Sequence, residues 1–198
     1  MEAIEKIKEV VAQAVPGAKL EIINSTPVAQ QPALLVDREH VYAVAKFFKG
    51  DPRFQMDFCS CVTGVDYLQK ADNPGFIEVV YHLYSVAQKH GPIILKVRAP
   101  RELDQCRVPS LTSLWRGAEF QEREAYDLYG VRFDGHPDLR RILMWDEFTD
   151  HPMRKDYVPP ADYEWEPTPH HDTLERTVQV GGITPPTARE ELEKARKK

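Results

Sequence analysis

The prolines of this chain are spread unevenly, and that unevenness limits what the chain can fold into. Eight of the 16 prolines in 198 residues fall after position 136. Proline fixes φ, removes a backbone donor and pushes the preceding residue toward extended backbone. A segment so marked is neither ordinary helix nor central strand. The sequence therefore predicts a compact α+β domain over residues 1–130 and an extended, proline-rich arm over 131–198. Within the arm, Ala188–Lys198 reads as a short charged helix with Glu190–Lys194 and Glu193–Lys197 pairs.

Periodicity fills in the first part. Ile4, Ile7, Val10, Val11 and Ala14 recur at helical spacing, and Pro16-Gly17 stops them. Leu20–Ile23 and Ala33–Val36 read as short strands. Asp37 is placed to cap a helix whose buried stripe is Val41, Val44, Ala45 and Phe48. Three strand-like runs follow: Phe54, Met56 and Phe58 in alternation, then Phe76–Val86, then Ile93–Arg98. Their short connections predict an antiparallel meander, and helices before strands predict α+β with an antiparallel or mixed sheet and flanking helices. Ser110–Tyr129 is a second helical block, capped by Ser110 and broken at Gly117.

Composition excludes several classes. The formal charge of −5 disfavours nucleic acid as a partner. No apolar run approaches the ~20 residues of a membrane span. Met1–Lys8 is charged and lacks the apolar stretch of a secretion signal. The three cysteines are too few for a disulfide framework and predict a reducing cytoplasmic setting. In a regular strand Cys59 and Cys61 would share a face. Two such thiols with distant Cys106 read as buried structural residues rather than cluster ligands.

The densest charge cluster is Glu122-Arg123-Glu124 with Asp127. On a helix, Glu119, Arg123 and Asp127 form an i,i+4 ladder, and Glu122 falls beside the apolar side. Spacing alone leaves two readings, a solvated ladder or an internal or intersubunit ion-pair site, and favours the first. His136-Pro137 precedes Arg140-Arg141, and His151-Pro152 precedes Arg154-Lys155. Each puts a cation pair after a proline-fixed bend, either as a surface loop or as an arm pairing with carboxylates of a partner. His170-His171-Asp172 reads as a polar loop before a metal tract. No catalytic, cofactor-binding or metal-binding constellation assembles from any recognised motif.

Glu122 through Val131, then His136, then Arg140-Arg141-Ile142-Leu143, resembles the signature of the C-type subunit family of NADH-quinone oxidoreductase, respiratory complex I. His151–Tyr157, Gly64–Tyr67 and Val79–Ser85 are similar to further segments of that family. The resemblance implies an α+β subunit of the peripheral arm with no cofactor of its own. FMN, Fe-S clusters and quinone would be held by partner subunits, and electrons would pass from NADH to quinone with coupled ion translocation. Implied partners are the large quinone-site subunit (D-type), the B-type subunit and neighbouring Fe-S subunits, at the cytoplasmic face of the plasma membrane with indirect membrane association.

The resemblance makes Glu122, Arg123, Glu124, Asp127, His136, Arg140, Arg141, His151, Arg154 and Lys155 interface residues, with the helix and two bends forming one docking surface and Glu122 buried and ion-paired. The equivalent small subunit of a membrane-bound hydrogenase or a ferredoxin- or plastoquinone-linked relative is the alternative. Further readings are a free-standing hydrolase or metal module and a nucleic-acid adaptor using the four arm cations.

Overall fold

The computed structural model describes residues 4–24, 31–70 and 74–158. The sequence expectations at His170–Asp172 and Ala188–Lys198 lie outside the described residues. Helix α1 (Ile4–Ala14) leads into strands β1 (Leu20–Asn24) and β2 (Pro32–Val36), then helix α2 (Val41–Gly50). Strands β3 (Phe58–Tyr67), β4 (Phe76–Ser85) and β5 (His90–Ala99) follow. After β6 (Arg107–Pro109) come helix α3 (Ala118–Tyr129) and β7 (Arg132–Asp134).

The main sheet is five-stranded in the order β1-β2-β5-β4-β3. β3, β4 and β5 form the expected antiparallel meander, while β2 joins β5 in parallel, so the sheet is mixed and the α+β expectation holds. One face carries the core. Tyr81, Leu83 and Leu95 from the sheet pack with Ile7 and Val11 of α1 and Val44 and Phe48 of α2. Alternate residues point to the other face, where Lys96 and Arg98 both bond the carboxylate of buried Glu78.

Three local features depart from the sequence expectation. Phe54 and Met56 are buried, but not in a strand: Phe54 and Gln55 donate to Asp51 O in a turn, and Gln55 takes a φ of 44°. The strand begins at Phe58. Its register shifts between Cys59 and Cys61, so one extra residue turns the two cysteines to opposite faces. Cys59 lies in the core and Cys61 is half-buried opposite it. The Asp37 carboxylate does not cap α2. It accepts from Lys19 N–H and bonds His40 Nδ1, tying the entry of β1 to the exit of β2.

Helix α3 lies against β3, and Gly64 sets the approach. A Cβ at Gly64 would stand 2.6 Å from Tyr129 Cδ2 at the end of α3. Residues 131–157 belong to the same compact unit, Met1–Tyr157. Gly64→Ala is expected to cost about 1–3 kcal/mol in urea unfolding, the usual penalty for overpacking. Adding Tyr129→Leu should relieve part of it, so the double variant loses less than the sum of the two single changes.

Candidate functional site

Helix α3 turns Ala118 and Ala125 into the core, and Glu122 goes with them at 0% exposure. Its carboxylate accepts three bonds: Ser110 Oγ–H at 2.6 Å, Leu111 N–H at 2.9 Å and Tyr81 O–H at 3.2 Å. The burial half of the sequence expectation stands. The ion pair does not, because these partners are neutral hydroxyls and an amide rather than a cation. Burial pushes the Glu122 carboxyl up to about 7, partly offset by the Ser110, Leu111 and Tyr81 donors. Ser110 also accepts from Thr112 N–H, so it caps the turn before α3 rather than α3 itself.

The Glu119–Arg123–Asp127 row is not a solvated ladder. Arg123 and Asp127 are both buried. The chain after β7 runs alongside this row, meeting it step by step. His136 Nε2 bonds Glu119 O, with its Nδ1 accepting from Asp138 N–H. Arg123 Nε and Nη2 donate to the carbonyls of Arg140 and Arg141. Asp127 Oδ2 accepts the N–H groups of Ile142, Leu143 and Met144 at 2.7–3.0 Å, and Asp127 Oδ1 takes Arg141 Nη1 at 2.6 Å. Burial alone would raise the Asp127 carboxyl, but those amides and the guanidinium outweigh it and hold it below its ordinary value.

The same segment then closes the end of α3. A helix leaves its last four carbonyls without helical partners. Here Gly130, in the left-handed region at φ 76°, donates to Tyr126 O. His151 Nδ1 and Arg141 Nη1 donate to Asp127 O, Met153 N–H to Leu128 O, and Arg154 Nε to Tyr129 O. Two guanidinium groups thus sit at the negative end of the helix dipole. Burial lowers the His151 pKa, although its bond to Asp127 O works the other way.

A second clamp holds the far end of the segment. Buried Asp66 takes a bidentate pair from Arg101 at 2.8 and 2.9 Å and accepts Lys155 N–H at 2.8 Å. Arg101 also reaches Asp156 and gives its carbonyl to Arg154 Nη1. Tyr81 and Arg101 were not singled out by sequence reasoning, and Ser110 was read only as a helix cap. Asp66 and Tyr81 fall within segments quoted for the resemblance, but nothing local marks their partners 35 or more residues away.

The ten expected site residues therefore divide. Glu122, Arg123, Asp127, His136, Arg141, His151 and Arg154 build the internal framework. Glu124 is exposed, the Arg140 side chain is 68% exposed with Asp138 as its ion-pair partner, and the exposed Lys155 contributes its backbone N–H. Among the described residues, Asp37, Glu39 and His40 form the one group with metal-ligand spacing, and Asp37 and His40 already bond each other at 2.6 Å.

Removing the Asp127 carboxylate strands three amides and a guanidinium. Asp127→Ala is expected to cost about 3–5 kcal/mol in chemical denaturation, as when one partner of a buried pair is removed. Glu122 gives a pH signature. Its folded pKa lies above the unfolded value near 4.5, so its contribution is full below about 4.5 and is lost as pH rises through about 7. Glu122→Gln should lack this component. Its stability relative to wild type should improve by about 3 kcal/mol between pH 4.5 and 8, and a constant difference would contradict the assignment.

A family model described as "Respiratory-chain NADH dehydrogenase, 30 Kd subunit" matches residues 34–163. The C-type subunit of the NADH-quinone oxidoreductase of Citrifermentans bemidjiense is 39% identical over 155 residues, covering 78% of this chain and 87% of that protein. The second C-type subunit of the Rhizobium meliloti enzyme is 44% identical over 126 residues, covering 63% of this chain and 65% of that protein. Among solved structures, a chain of an archaeal membrane-bound sulfane sulfur reductase superposes with TM-score 0.60 at 22% identity, over 93% of this chain and 96% of its own, a likeness of fold alone. The trypsin-resistant fragment of Nqo5 superposes with TM-score 0.51 at 28% identity, over 69% of this chain and 98% of its own. With the matched model reaching from β2 past the second clamp, this chain belongs to the 30 Kd subunit family of respiratory-chain NADH dehydrogenase.

Proposed function

We propose that this chain is a structural subunit of the peripheral arm of an NADH-quinone oxidoreductase. It holds no redox cofactor and docks on the large quinone-site subunit (D-type), beside the B-type subunit and the neighbouring Fe-S subunits. Electrons pass from NADH through FMN and Fe-S clusters in those partners to quinone, coupled to ion translocation. The reading places the chain at the cytoplasmic face of the membrane. No helix among the described residues is long and apolar enough to cross a bilayer.

The observation that carries this reading is the use made of the signature. In the stretch that resembles the C-type family, the carboxylates and guanidiniums bond backbone carbonyls, backbone amides and each other. Groups so engaged position a segment; they do not present a nucleophile or a base to a substrate. The segment they hold exposes Leu143 and Met153 to solvent, as a docking element would.

Purification through an affinity tag on the full chain from its native membranes tests the reading. The expected isolate contains an NADH-oxidising flavoprotein in stoichiometric amount and reduces quinone with NADH. Isolation with a nickel protein and hydrogen evolution, or with no redox partner at all, would contradict it.

A further inference from the structure

Between its arginine anchors, Arg141 and Arg154, the segment after Gly135 carries a free charge opposite in sign to the one its sequence suggests. Its paired cations look available for a partner's carboxylates. In the structure Arg141 is engaged with Asp127 and with Asp150 O, Arg154 with Tyr129 O and Arg101 O, and Arg140 with Asp138, while Lys155 keeps an exposed side chain beyond Arg154. Between Arg141 and Arg154, the side chains of Asp146, Glu147 and Asp150 are exposed, and none has an ion-pair or hydrogen-bond partner among the described residues. The stretch Leu143–Asp150 also exposes apolar surface: Leu143 is 59% and Trp145 38% exposed.

This surface is held in shape before any partner arrives. Leu143 N–H and Met144 N–H are fixed on Asp127 Oδ2. The Trp145 ring sits edge-on to Phe148 at 4.8 Å, and Arg141 lies over Phe148 at 5.5 Å. A prearranged apolar side chain beside unpaired carboxylates loses little freedom on binding. Its electrostatic complement is a cationic rim.

We infer that Leu143–Asp150 is a recognition surface for a protein face offering an apolar pocket rimmed by lysine and arginine. The inference deepens the docking reading and rests on it. Three free carboxylates disfavour an anionic lipid surface or a nucleic acid as occupant.

The test uses the tagged full chain expressed in place of the native one. Asp146→Lys, Glu147→Lys and Asp150→Lys together are expected to lower the amount of partner retained on the chain about tenfold or more. Leu143→Ser should lower it about threefold to tenfold. Arg140→Glu, at an exposed cation already paired with Asp138, should change it less than the acidic reversal. Unaltered amide exchange at Ile142–Met144 verifies that each variant keeps the segment in place. A photo-cross-linker at position 147 should join a partner peptide containing lysine or arginine.

Full retention by the triple variant, a stronger effect of Arg140→Glu, or cross-links to a second copy of this chain, to lipid or to an acidic peptide would overturn the inference. The docking reading fails separately. If wild type carries no NADH-oxidising flavoprotein yet cross-links a cationic face at position 147, the recognition surface stands and the respiratory assignment falls.

Discussion

The C-terminal end of α3 is where the structure of this chain is decided. A helix that ends inside a fold leaves carbonyls that need donors, and a buried Asp127 adds two carboxylate oxygens to the same place. The chain answers both with one segment. Residues 136–155 run along the helix and supply three consecutive amides and a guanidinium to Asp127, and an imidazole, an amide and a second guanidinium to the last carbonyls. Prolines at 137 and 152 suit this course, because the amides the helix uses belong to residues 142–144 and 153. Gly64 lets the helix lie close enough to β3 for Asp66 to anchor the far end of the segment.

Much of the body was legible in the sequence. The helical stripes of α1 and α2 show in their period, and β4 and β5 show as runs rich in β-branched and aromatic residues. β3 was harder. Its alternation is interrupted by a bulge at Ser60 and carries Gly64 and Asp66 on the buried side, where a sequence pattern expects apolar residues. The short parallel pair β6–β7 has three residues in each strand, too few for a pattern.

The site residues were legible as a set, through their resemblance to a family, while their roles were not. Spacing correctly moved Glu122 toward the apolar side but could not tell a cation from a hydroxyl as its partner, since Tyr81 and Ser110 come from other elements. Arg141 and Arg154 read as cations offered outward because sequence shows charge and hides the carbonyls and carboxylate that consume it. Nothing in the sequence pattern marks Asp146, Glu147 and Asp150, and only the engagement of Arg141 and Arg154 leaves them as the free charge of that surface.

Residues 136–155 are therefore part of the folded body, fixed before any partner is present. Amide hydrogen exchange on the isolated full chain measures this directly. The N–H groups of Ile142, Leu143, Met144 and Met153, bonded to α3, and of Lys155, bonded to Asp66 of β3, should exchange as slowly as those in the last turn of α3, because they open only when the segment leaves the body. Rapid exchange at these five amides while α3 stays protected would contradict the account. The segment would then take its place on α3 only when a partner arrives.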